Sequence, residues 1–510
     1  MYELLFAGLA NVAQVKYMVP LFFGTLAGVI GGALPGVTIT MTIIVVLPFT
    51  FGLDPLQGLA AMTGVYVGGS AGGLVTAVLL GIPGTPSAIA TTFDGHPMAQ
   101  KGEPGRAIWL GVWASFWGGL LGGVFLIAAT EPLAAIALKF GPWEFFSLFV
   151  LALSMVAGLV ESSLLKGLLS GTLGLLVTVI GADPVLGQER LTFGIPFLSG
   201  GIEFLPVLIG VFAFAQIMGE VERTGGATRY AAQVEQAVHL TVSHAKVIWE
   251  ILSRPFLLLW VAFIGVLIGV LPAIGGSAAS MMAYDQAKKL SRHPERFGRG
   301  TPEGIIASEA SNNANVGGSL VTIMAFGIPG DAVTAVMLGA LTIHGIQSGP
   351  LFISQNTQLA YGMFAAYLLA HPLMVMILWL GSRWMLRVTT VPKAALFPIV
   401  LVLCVVGAYA LNNTMSNVYV LLVFGLFGYG MVKFGFPLAP FILGVILGDQ
   451  IEINLVRAIM TDSNPWLFLT RPISGVLLAA SVLSVAAAIW QPRRSQKRLA
   501  QAAQDDVADF

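Results

Sequence analysis

The residues best suited to hold a ligand lie in a short motif that occurs twice in the chain. Gly-Ile-Pro-Gly stands at 81–84 and again at 327–330, followed by Thr85 in the first and by Asp331 in the second. Proline removes a backbone donor and breaks helices, and the N–H groups freed at such a break attract anions. An acid within an apolar segment is costly, so Asp331 is a functional candidate.

An interrupted apolar stretch precedes each motif. The interruptions are Gly-Gly-Ser-Ala-Gly-Gly at 68–73 and Asn-Asn-Ala-Asn-Val-Gly-Gly-Ser at 312–319. We expect both to unwind against a polar cavity, because unpaired backbone groups are not tolerated in lipid. The alternative is that these small residues only permit close helix packing. The sequence leaves both interpretations open for 68–73, whereas three asparagines in four positions favour a site at 312–319.

Hydroxyl and amide side chains in and near these segments suit a carboxylate ligand. The predicted hydroxyl donors are Ser70, Thr85, Ser277 and Ser319. The predicted amide donors are Asn312, Asn313 and Asn315. Amide carbonyl oxygens also ligate hard cations, and Asn313 and Asn315 are therefore predicted ligands of Na⁺.

The composition places these motifs in a membrane. Of 510 residues, 56% are apolar and 10% charged, whereas soluble proteins carry about 25% charged residues. Lys+Arg and Asp+Glu are equal at 25 each, which gives no global attraction for nucleic acid, and the single cysteine excludes an internal disulfide. The apolar runs predict an all-α polytopic membrane protein of about 12 transmembrane helices, with re-entrant or interrupted hairpins.

The sequence also indicates an internal duplication. Gly28–Pro35 resembles Gly265–Pro272, and the Gly-Ile-Pro-Gly motifs follow in the same order in each half. Near the far end, Pro206-x3-Gly-Val-x4-Gln-Ile217 resembles Pro440-x3-Gly-Val-x4-Gln-Ile451. One such match is weak, but the shared order predicts two copies of one element.

The charges predict that the two copies have opposite orientations. The loop after the first matched motif carries no cation at 52–56 but is basic at 285–303, and after Gly-Ile-Pro-Gly the bias reverses. Cation-rich loops face the cytoplasm, so equivalent loops should lie on opposite sides of the membrane. Such inverted-topology repeats are typical of secondary transporters, whose substrate site lies where matched helices are interrupted.

This pattern predicts six segments. An amphipathic spacing within the linker favours a helix along the membrane surface, although an ordinary solvated connector fits equally. The segments are an N-terminal segment at 1–18, a first inverted repeat at 19–219, a cytoplasmic linker at 220–250, a second inverted repeat at 251–452, an extra transmembrane helix at 453–490 and a cytoplasmic tail at 491–510.

Enzyme motifs are absent or out of context. Gly68-x-Ser70-x-Gly72 matches a hydrolase nucleophile pattern but lacks the strand–turn–helix context that this chemistry requires. The chain has no Walker A motif, no His-Glu-x-x-His and no zinc-spaced Cys/His set. We expect neither an enzyme nor a bound cofactor. A channel, a carrier that works without other subunits and an intramembrane enzyme remain the alternatives to a secondary transporter.

The motifs in combination resemble the large permease subunit of tripartite tricarboxylate transporters, the TctA family. The resemblance covers about residues 15–490. It is carried by Gly32-Ala-Leu-Pro-Gly36, Gly81-Ile-Pro-Gly-Thr-Pro86, Phe93-Asp-Gly-His-Pro97, Gly327-Ile-Pro-Gly-Asp331 and Ala307-Ser-Glu-Ala-Ser-Asn-Asn-Ala-Asn315.

The resemblance implies a binding-protein-dependent permease of the bacterial inner membrane with a cytoplasmic C-terminus. It implies two partners, a small four-helix membrane subunit and a periplasmic solute-binding protein, and transport of citrate or a related carboxylate, driven by a Na⁺ gradient. It adds Pro35, Gly36, Gly84 and Gly330 to the expected substrate-binding residues. It leaves open whether copies associate into a homo-oligomer.

Overall fold

The computed structural model describes residues 2–158, 163–223, 242–272, 274–388 and 391–508. Side chains are not described at 158, 223, 382–388 and 491–508. Most of the predicted linker at 220–250 lies outside the described residues, as do Ala273 and the side chains of the predicted tail.

The described chain is almost entirely helical, which confirms an all-α fold. The helices of the first half are α1 (Tyr2–Val12), α2 (Val15–Ala33), α3 (Ile39–Val46), α4 (Pro55–Leu80), α5 (Ile89–Gln100), α6 (Pro104–Ala137), α7 (Pro142–Gly158), α8 (Leu164–Thr178), α9 (Pro196–Ser199), α10 (Phe204–Leu208) and α11 (Ala215–Arg223). Those of the second half are α12 (His244–Leu252), α13 (Pro255–Val270), α14 (Gly275–Leu290), α15 (Pro302–Phe326), α16 (Ala332–Ile343), α17 (Phe352–Gln355), α18 (Thr357–Val388), α19 (Lys393–Ala410), α20 (Met415–Lys433), α21 (Leu438–Thr461), α22 (Leu467–Thr470) and α23 (Pro472–Ala508).

Short elements connect some of these helices. Strands β1 (Gly181–Ala182) and β2 (Glu189–Arg190) pair antiparallel after α8. Tight 3₁₀ turns occupy Leu47–Thr50, Pro86–Ala88 and Pro294–Arg296, and a wider π turn, Ile209–Phe214, joins α10 to α11.

Nine helices within the described residues are long and apolar enough to cross a bilayer, or ten if α12 and α13, bent by 78°, count as one span. Five further apolar helices have 10 to 17 residues. A helix of 15 residues is about 22 Å long and falls short of the ~30 Å hydrocarbon layer. The fold is that of a multi-pass membrane protein, and the predicted count of twelve spans remains an expectation.

The chain divides into two compact units. The larger comprises 1–138 and 205–429, and the smaller comprises 139–204 and 430–510. All the predicted site residues belong to the larger unit.

Glycines bring two pairs of helices of the larger unit into close contact. A Cβ on Gly28 of α2 would lie 2.3 Å from the Val65 carbonyl oxygen of α4, and one on Gly265 of α13 would lie 2.2 Å from the Ser311 carbonyl oxygen of α15. Any larger side chain would force each pair apart. Backbone contact of this kind is how small residues join helices in lipid.

The expected unwinding at 68–73 and 312–319 is wrong. Both segments lie within continuous helices, α4 and α15. The glycines pack against neighbouring backbone instead, since a Cβ on Gly68 would lie 2.3 Å from the Thr25 carbonyl oxygen and one on Gly72 would lie 2.4 Å from that of Val29. In a continuous helix the backbone groups pair internally, which the bilayer favours.

The helix breaks lie instead at the other predicted points. α4 ends at Gly81 and α15 at Gly327, both in the left-handed conformation that glycine adopts without strain. Two further breaks join short helices. The first tip, residues 34–38, connects α2 to α3, and the second tip, residues 271–274, connects α13 to α14.

The smaller unit holds an ion pair with a buried acid, which the sequence interpretation missed. A charged residue at the end of an apolar run usually reaches toward water, but the Glu144 side chain is only 3% exposed and its Oε1 accepts a 2.6 Å hydrogen bond from Arg471 Nε. The two residues are far apart in sequence, so the pairing of α7 with the start of α23 was not visible in the chain.

Asp183 fixes the β1–β2 hairpin in the same unit. Its Oδ1 accepts hydrogen bonds from the backbone N–H groups of Leu186 and Val185, at 2.8 and 2.7 Å, and these bonds lower the pKa of the carboxyl group. Arg190 at the other end of the hairpin forms a two-point pair with Glu452, at 2.6 and 2.9 Å.

Candidate functional site

Thr85 and Ser87 form a buried pair of hydroxyls after the first Gly-Ile-Pro-Gly motif. Their oxygens are 3.1 Å apart, and Thr85 is 1% exposed. The approach of this turn to α4 depends on glycine, because a Cβ on Gly73 would lie 2.5 Å from Thr85 Oγ1. Gly84 is equally enclosed, because a Cβ there would lie 2.1 Å from the Gly32 carbonyl oxygen.

Asn312, in the middle of α15, approaches the same place next to Gly276. Its Nδ2 donates a 2.8 Å hydrogen bond to the Ser70 carbonyl oxygen of α4. A Cβ on Gly276 would lie 2.4 Å from Asn312 Oδ1 and 3.3 Å from Ser87 Cβ. Gly276 therefore marks the place where α4, α14, α15 and the 86–88 turn meet. The Ser70 hydroxyl itself donates to the Tyr66 carbonyl oxygen of its own helix, at 2.9 Å.

The N-terminus of α14 adds backbone donors to this group. The helix begins at Gly275, whose φ is +74°, and no described side chain caps it. Ser277 is half-buried in its first turn. The first N–H groups of a helix have no partner within the helix and carry a partial positive charge. This end of α14 therefore favours an anion.

Asp331 occupies the equivalent position after the second motif and places a carboxyl group there. It caps α16, since its Oδ1 accepts a 2.8 Å hydrogen bond from the Thr334 N–H. In return, the Asp331 N–H donates a 2.9 Å hydrogen bond to the Thr334 hydroxyl. Its Oδ2 accepts a hydrogen bond from the Tyr66 hydroxyl. Both carboxylate oxygens are thus engaged.

Ser319 and Gly330 lie behind Asp331 as packing residues. A Cβ on Gly330 would lie 2.5 Å from the Gly269 carbonyl oxygen and 2.8 Å from Ser319 Cβ. The Ser319 hydroxyl is buried and makes no regular hydrogen bond to the described residues.

Pro35 and Gly36 form a separate polar neighbourhood at the first tip. Gly36 has a φ of +90°, and a Cβ there would lie 2.9 Å from both Glu220 Oε2 and Lys393 Nζ. Those two atoms form an ion pair at 2.6 Å. The tip is therefore closed by a fixed pair of opposite charges rather than by an unpaired cation.

The two predicted Na⁺ ligands point in different directions. Asn315 Nδ2 donates to the Gly265 carbonyl oxygen of α13, whereas Asn313 Nδ2 donates to the Glu309 carbonyl oxygen of its own helix, both at 3.3 Å. Residues two apart on a helix do not share a face. The structure does not bring these two side chains together, although the buried Asn313 Oδ1 has no hydrogen-bond partner among the described residues.

Two residues of the site were missed from the sequence, Tyr66 and Ser87. One signal was available for Tyr66. The offset of 246 residues that relates Gly81 to Gly327 also relates Tyr66 to Asn312. Tyr66 of the first half bonds to Asp331 after the second motif, and Asn312 of the second half lies near Ser87 after the first motif. Ser87 gave no signal, because serine is common in turns.

The geometry therefore separates two neighbourhoods. One combines the Thr85 and Ser87 hydroxyls and the uncapped start of α14, which can donate hydrogen bonds to a carboxylate. The Asn312 amide borders them, with Oδ1 toward Gly276 and one Nδ2 hydrogen left beyond the bond to Ser70. The other is built around the Asp331 carboxylate, which would repel such a ligand. Among the described residues there is no group of three or more His, Cys, Asp or Glu side chains that could hold a metal ion.

Comparison with known proteins decides the family. The family model described as "Tripartite tricarboxylate transporter TctA family" matches residues 18–443 of the chain. The chain belongs to this family. It is also similar to an uncharacterized 52.8 kDa protein in the TAR-I ttuC' 3' region of Agrobacterium vitis, with 36% identity over 482 residues, 93% of this chain and 94% of the relative.

A second similar protein, an uncharacterized protein in the TAR-II ttuC' 3' region of Agrobacterium vitis, is 34% identical over 235 residues, 46% of this chain and 97% of the relative. No solved structure matches the chain. Membership of the TctA family identifies the chain as a membrane subunit of a tripartite tricarboxylate transporter, in a family of transporters rather than enzymes.

Proposed function

We propose that this TctA-family chain is the permease that imports a tricarboxylate or related carboxylate, with Na⁺ as a coupling ion. It acts with a small four-helix membrane subunit and a periplasmic solute-binding protein in the bacterial inner membrane, and its C-terminus is cytoplasmic. The basic residues at 285–303 support this orientation.

The observation that carries the proposal is the buried donor group around Gly276. Thr85 and Ser87 supply hydroxyls, α14 supplies first-turn N–H groups that no described side chain caps, and Asn312 supplies the second hydrogen of its Nδ2. Several donors without a compensating acid suit one carboxylate of the substrate. The further carboxylates of a tricarboxylate would extend toward the first turn of α14, where Ser277 is half-buried.

We further propose that the two halves are inverted repeats, which provide the alternating access that transport requires. Matched contacts support this. Gly32 packs on the Gly69 carbonyl and Gly269 on the Asn315 carbonyl. In addition, α4 of the first half packs against α18 of the second half, and α15 of the second half packs against α6 of the first half, so that equivalent helices exchange partners. The short tips would then move as a unit, in elevator fashion.

Uptake of labelled citrate into proteoliposomes tests the proposal. We expect little uptake by the chain alone, and uptake against a gradient when both partner subunits and an inward Na⁺ gradient are present. Thr85→Val should reduce that uptake, whereas Thr92→Val, which alters a partly exposed hydroxyl on the next helix, should not. Downhill flux that never exceeds equilibrium would instead indicate a channel, and equal uptake by the chain alone would indicate a self-sufficient carrier.

A further inference from the structure

Glu309 is a fully buried acid outside the donor group. It lies on α15 with 0% exposure. Its Oε1 accepts a hydrogen bond from the Thr91 hydroxyl of α5 at 2.5 Å, and its Oε2 accepts one from the Ser115 hydroxyl of α6 at 2.9 Å. The Thr91 hydroxyl is also 2.9 Å from that of Ser308. The side chains that hydrogen-bond to this carboxyl group among the described residues are therefore neutral.

No ion pair within the described part of the chain includes Glu309. On α5, the Asp94 carboxylate accepts hydrogen bonds from the Tyr284 hydroxyl of α14 and from backbone N–H groups within 298–301. On α6, Arg106 pairs with Glu103 and Glu250.

Within the described residues, the remaining neighbours supply no cation either, since Lys288 and Lys289 of α14 are exposed and Lys289 pairs with Asp285. Tyr66 of α4 bonds to Asp331, α13 contains no titratable residue, and the His371 ring of α18 lies over Gly119. A buried carboxylate without a compensating charge is expensive, whereas the protonated acid is not. The hydroxyls suit both forms, because they can donate to the carboxylate or accept from the acid.

Two polar atoms without hydrogen-bond partners among the described residues lie near Glu309 and Ser115. Asn313 is one helical turn from Glu309 on α15, and the His371 ring lies over Gly119, one helical turn from Ser115 on α6. Asn313 Oδ1 and His371 Nε2 are buried and have no hydrogen-bond partner among the described residues. Tyr367 links their surroundings, since its hydroxyl is 2.9 Å from the Gly119 carbonyl oxygen and 3.2 Å from that of Asn313. Buried polar atoms without partners are uncommon inside proteins. These two extend the polar region that includes Glu309 as far as α18.

The same elements border the donor group at Gly276. Thr91, which bonds to Glu309, follows Ser87 by four residues along one continuous helical segment. Asn313 is adjacent to Asn312. Movement of the 86–88 turn around a ligand would therefore change the hydrogen bond from Thr91 to Glu309. Losing that donor favours the protonated acid, which couples ligand occupancy to a proton.

We propose that Glu309 is a proton-binding site, and that a proton is taken up and released there as the carboxylate is transported. The proton adds to one carboxylate oxygen on loading and leaves from it on unloading, with no other bond made or broken. The transport part of this inference rests on the proposed function, whereas proton binding itself does not.

Infrared titration of the purified full chain in lipid tests proton binding without any transport. We expect a protonated-carboxyl band that titrates in the wild type and is missing in Glu309→Gln. Asp285→Asn, which alters an exposed acid paired with Lys289 on α14, should keep the band. Identical band intensities in wild type and Glu309→Gln at every pH between about 4 and 9 would overturn the proposal. Loss of the band on adding Na⁺ at constant pH would also overturn it, since the site would then be a metal site.

Proteoliposomes with both partner subunits test the coupling. Wild-type uptake should vary about tenfold between pH 6 and pH 8 and should move protons with the carboxylate, whereas Glu309→Gln should vary less than about twofold and move none. Exchange of internal for external carboxylate should survive in this variant, which shows that it folds. Proton movement by Glu309→Gln at the wild-type ratio would overturn the coupling. Absence of all wild-type transport would instead count against the proposed function, and the infrared result would still stand.

Discussion

The two Gly-Ile-Pro-Gly motifs have nearly the same backbone setting and opposite electrostatics. Gly84 and Gly330 each pack on a glycine carbonyl, at positions 32 and 269. After the first motif comes Thr85, whose hydroxyl pairs with that of Ser87. After the second comes Asp331, whose carboxylate caps α16.

This difference shows how a duplicated element can become asymmetric without a change of fold. A glycine-dependent break is needed in both copies, because neither turn leaves room for a Cβ. The residue that follows is free to differ. One copy then offers donors to an anion, and the other closes its own helix end with a negative charge. A carboxylate substrate would therefore bind nearer Thr85 than Asp331.

The most severe way to break this contrast is Thr85→Asp. A second carboxylate about 4 Å from a substrate carboxylate would cost about 4 kcal/mol at an effective dielectric constant near 20, or roughly a thousandfold in affinity. Calorimetry with citrate measures the loss. Thr85→Asn, which is similar in size and uncharged, is the matched control. Wild-type affinity in Thr85→Asp would mean that the substrate does not bind at this turn.

Asn312→Ala should have the next largest effect. It removes the amide beside Gly276, and a hydrogen bond to a charged group is worth about 1.5–3 kcal/mol, so affinity should fall roughly 10- to 100-fold. Asn315→Ala, on the face toward α13, should leave affinity within about threefold. Equal losses in both variants would argue that α15 is merely destabilised, and thermal unfolding in detergent separates these outcomes.

Thr85→Val keeps the shape of the turn but removes one hydroxyl. Ser87 remains as a donor, so we expect only about a fivefold to tenfold loss of affinity. Thr85→Ser should recover most of it. Failure of serine to recover binding would show that the Thr85 methyl group, rather than its hydroxyl, is required.

Asp331→Ala should change substrate affinity least and stability most. It removes a helix cap and leaves the Tyr66 hydroxyl without its acceptor, for a combined cost of about 2–3 kcal/mol in the free energy of unfolding. Asp331→Asn should restore most of this, because asparagine caps equally well. A large loss of citrate affinity in Asp331→Asn, with normal unfolding, would place the substrate at the second motif instead.

The sequence predicted the membrane class, the family resemblance and the breaks at Gly81 and Gly327, because proline and glycine act locally. It failed at 312–319, where unwinding was expected, whereas at 68–73 the structure shows close helix packing, one of the two interpretations left open. Glycine within an apolar run has two physical uses, a broken helix or a close helix contact, and only the neighbouring helix decides between them. Here that neighbour is α2 for α4, and α13 for α15.

The residues that sequence reasoning missed depend on contacts between distant segments. Tyr66, 265 residues from Asp331, meets its acceptor only once α4 and α16 pack together. Glu309 was part of the family motif but attracted no separate prediction, since its burial and its lack of a cation are properties of the assembled helices. Glu144 shows the same limitation, because a charge at a segment end reads as solvated until its partner is known.

The hydrogen bonds of Asp94 affect how loss-of-function mutants of this chain should be interpreted. Asp94, in the Phe-Asp-Gly-His-Pro motif, accepts hydrogen bonds from Tyr284 and from the N–H groups of Gly298, Gly300 and Thr301. This single side chain sets the path of the loop that enters α15. Random mutagenesis would therefore flag Asp94 as strongly as any ligand contact. A genetic screen of transport would mark an assembly point and a binding point alike, and only surface-expression counts alongside uptake would tell them apart.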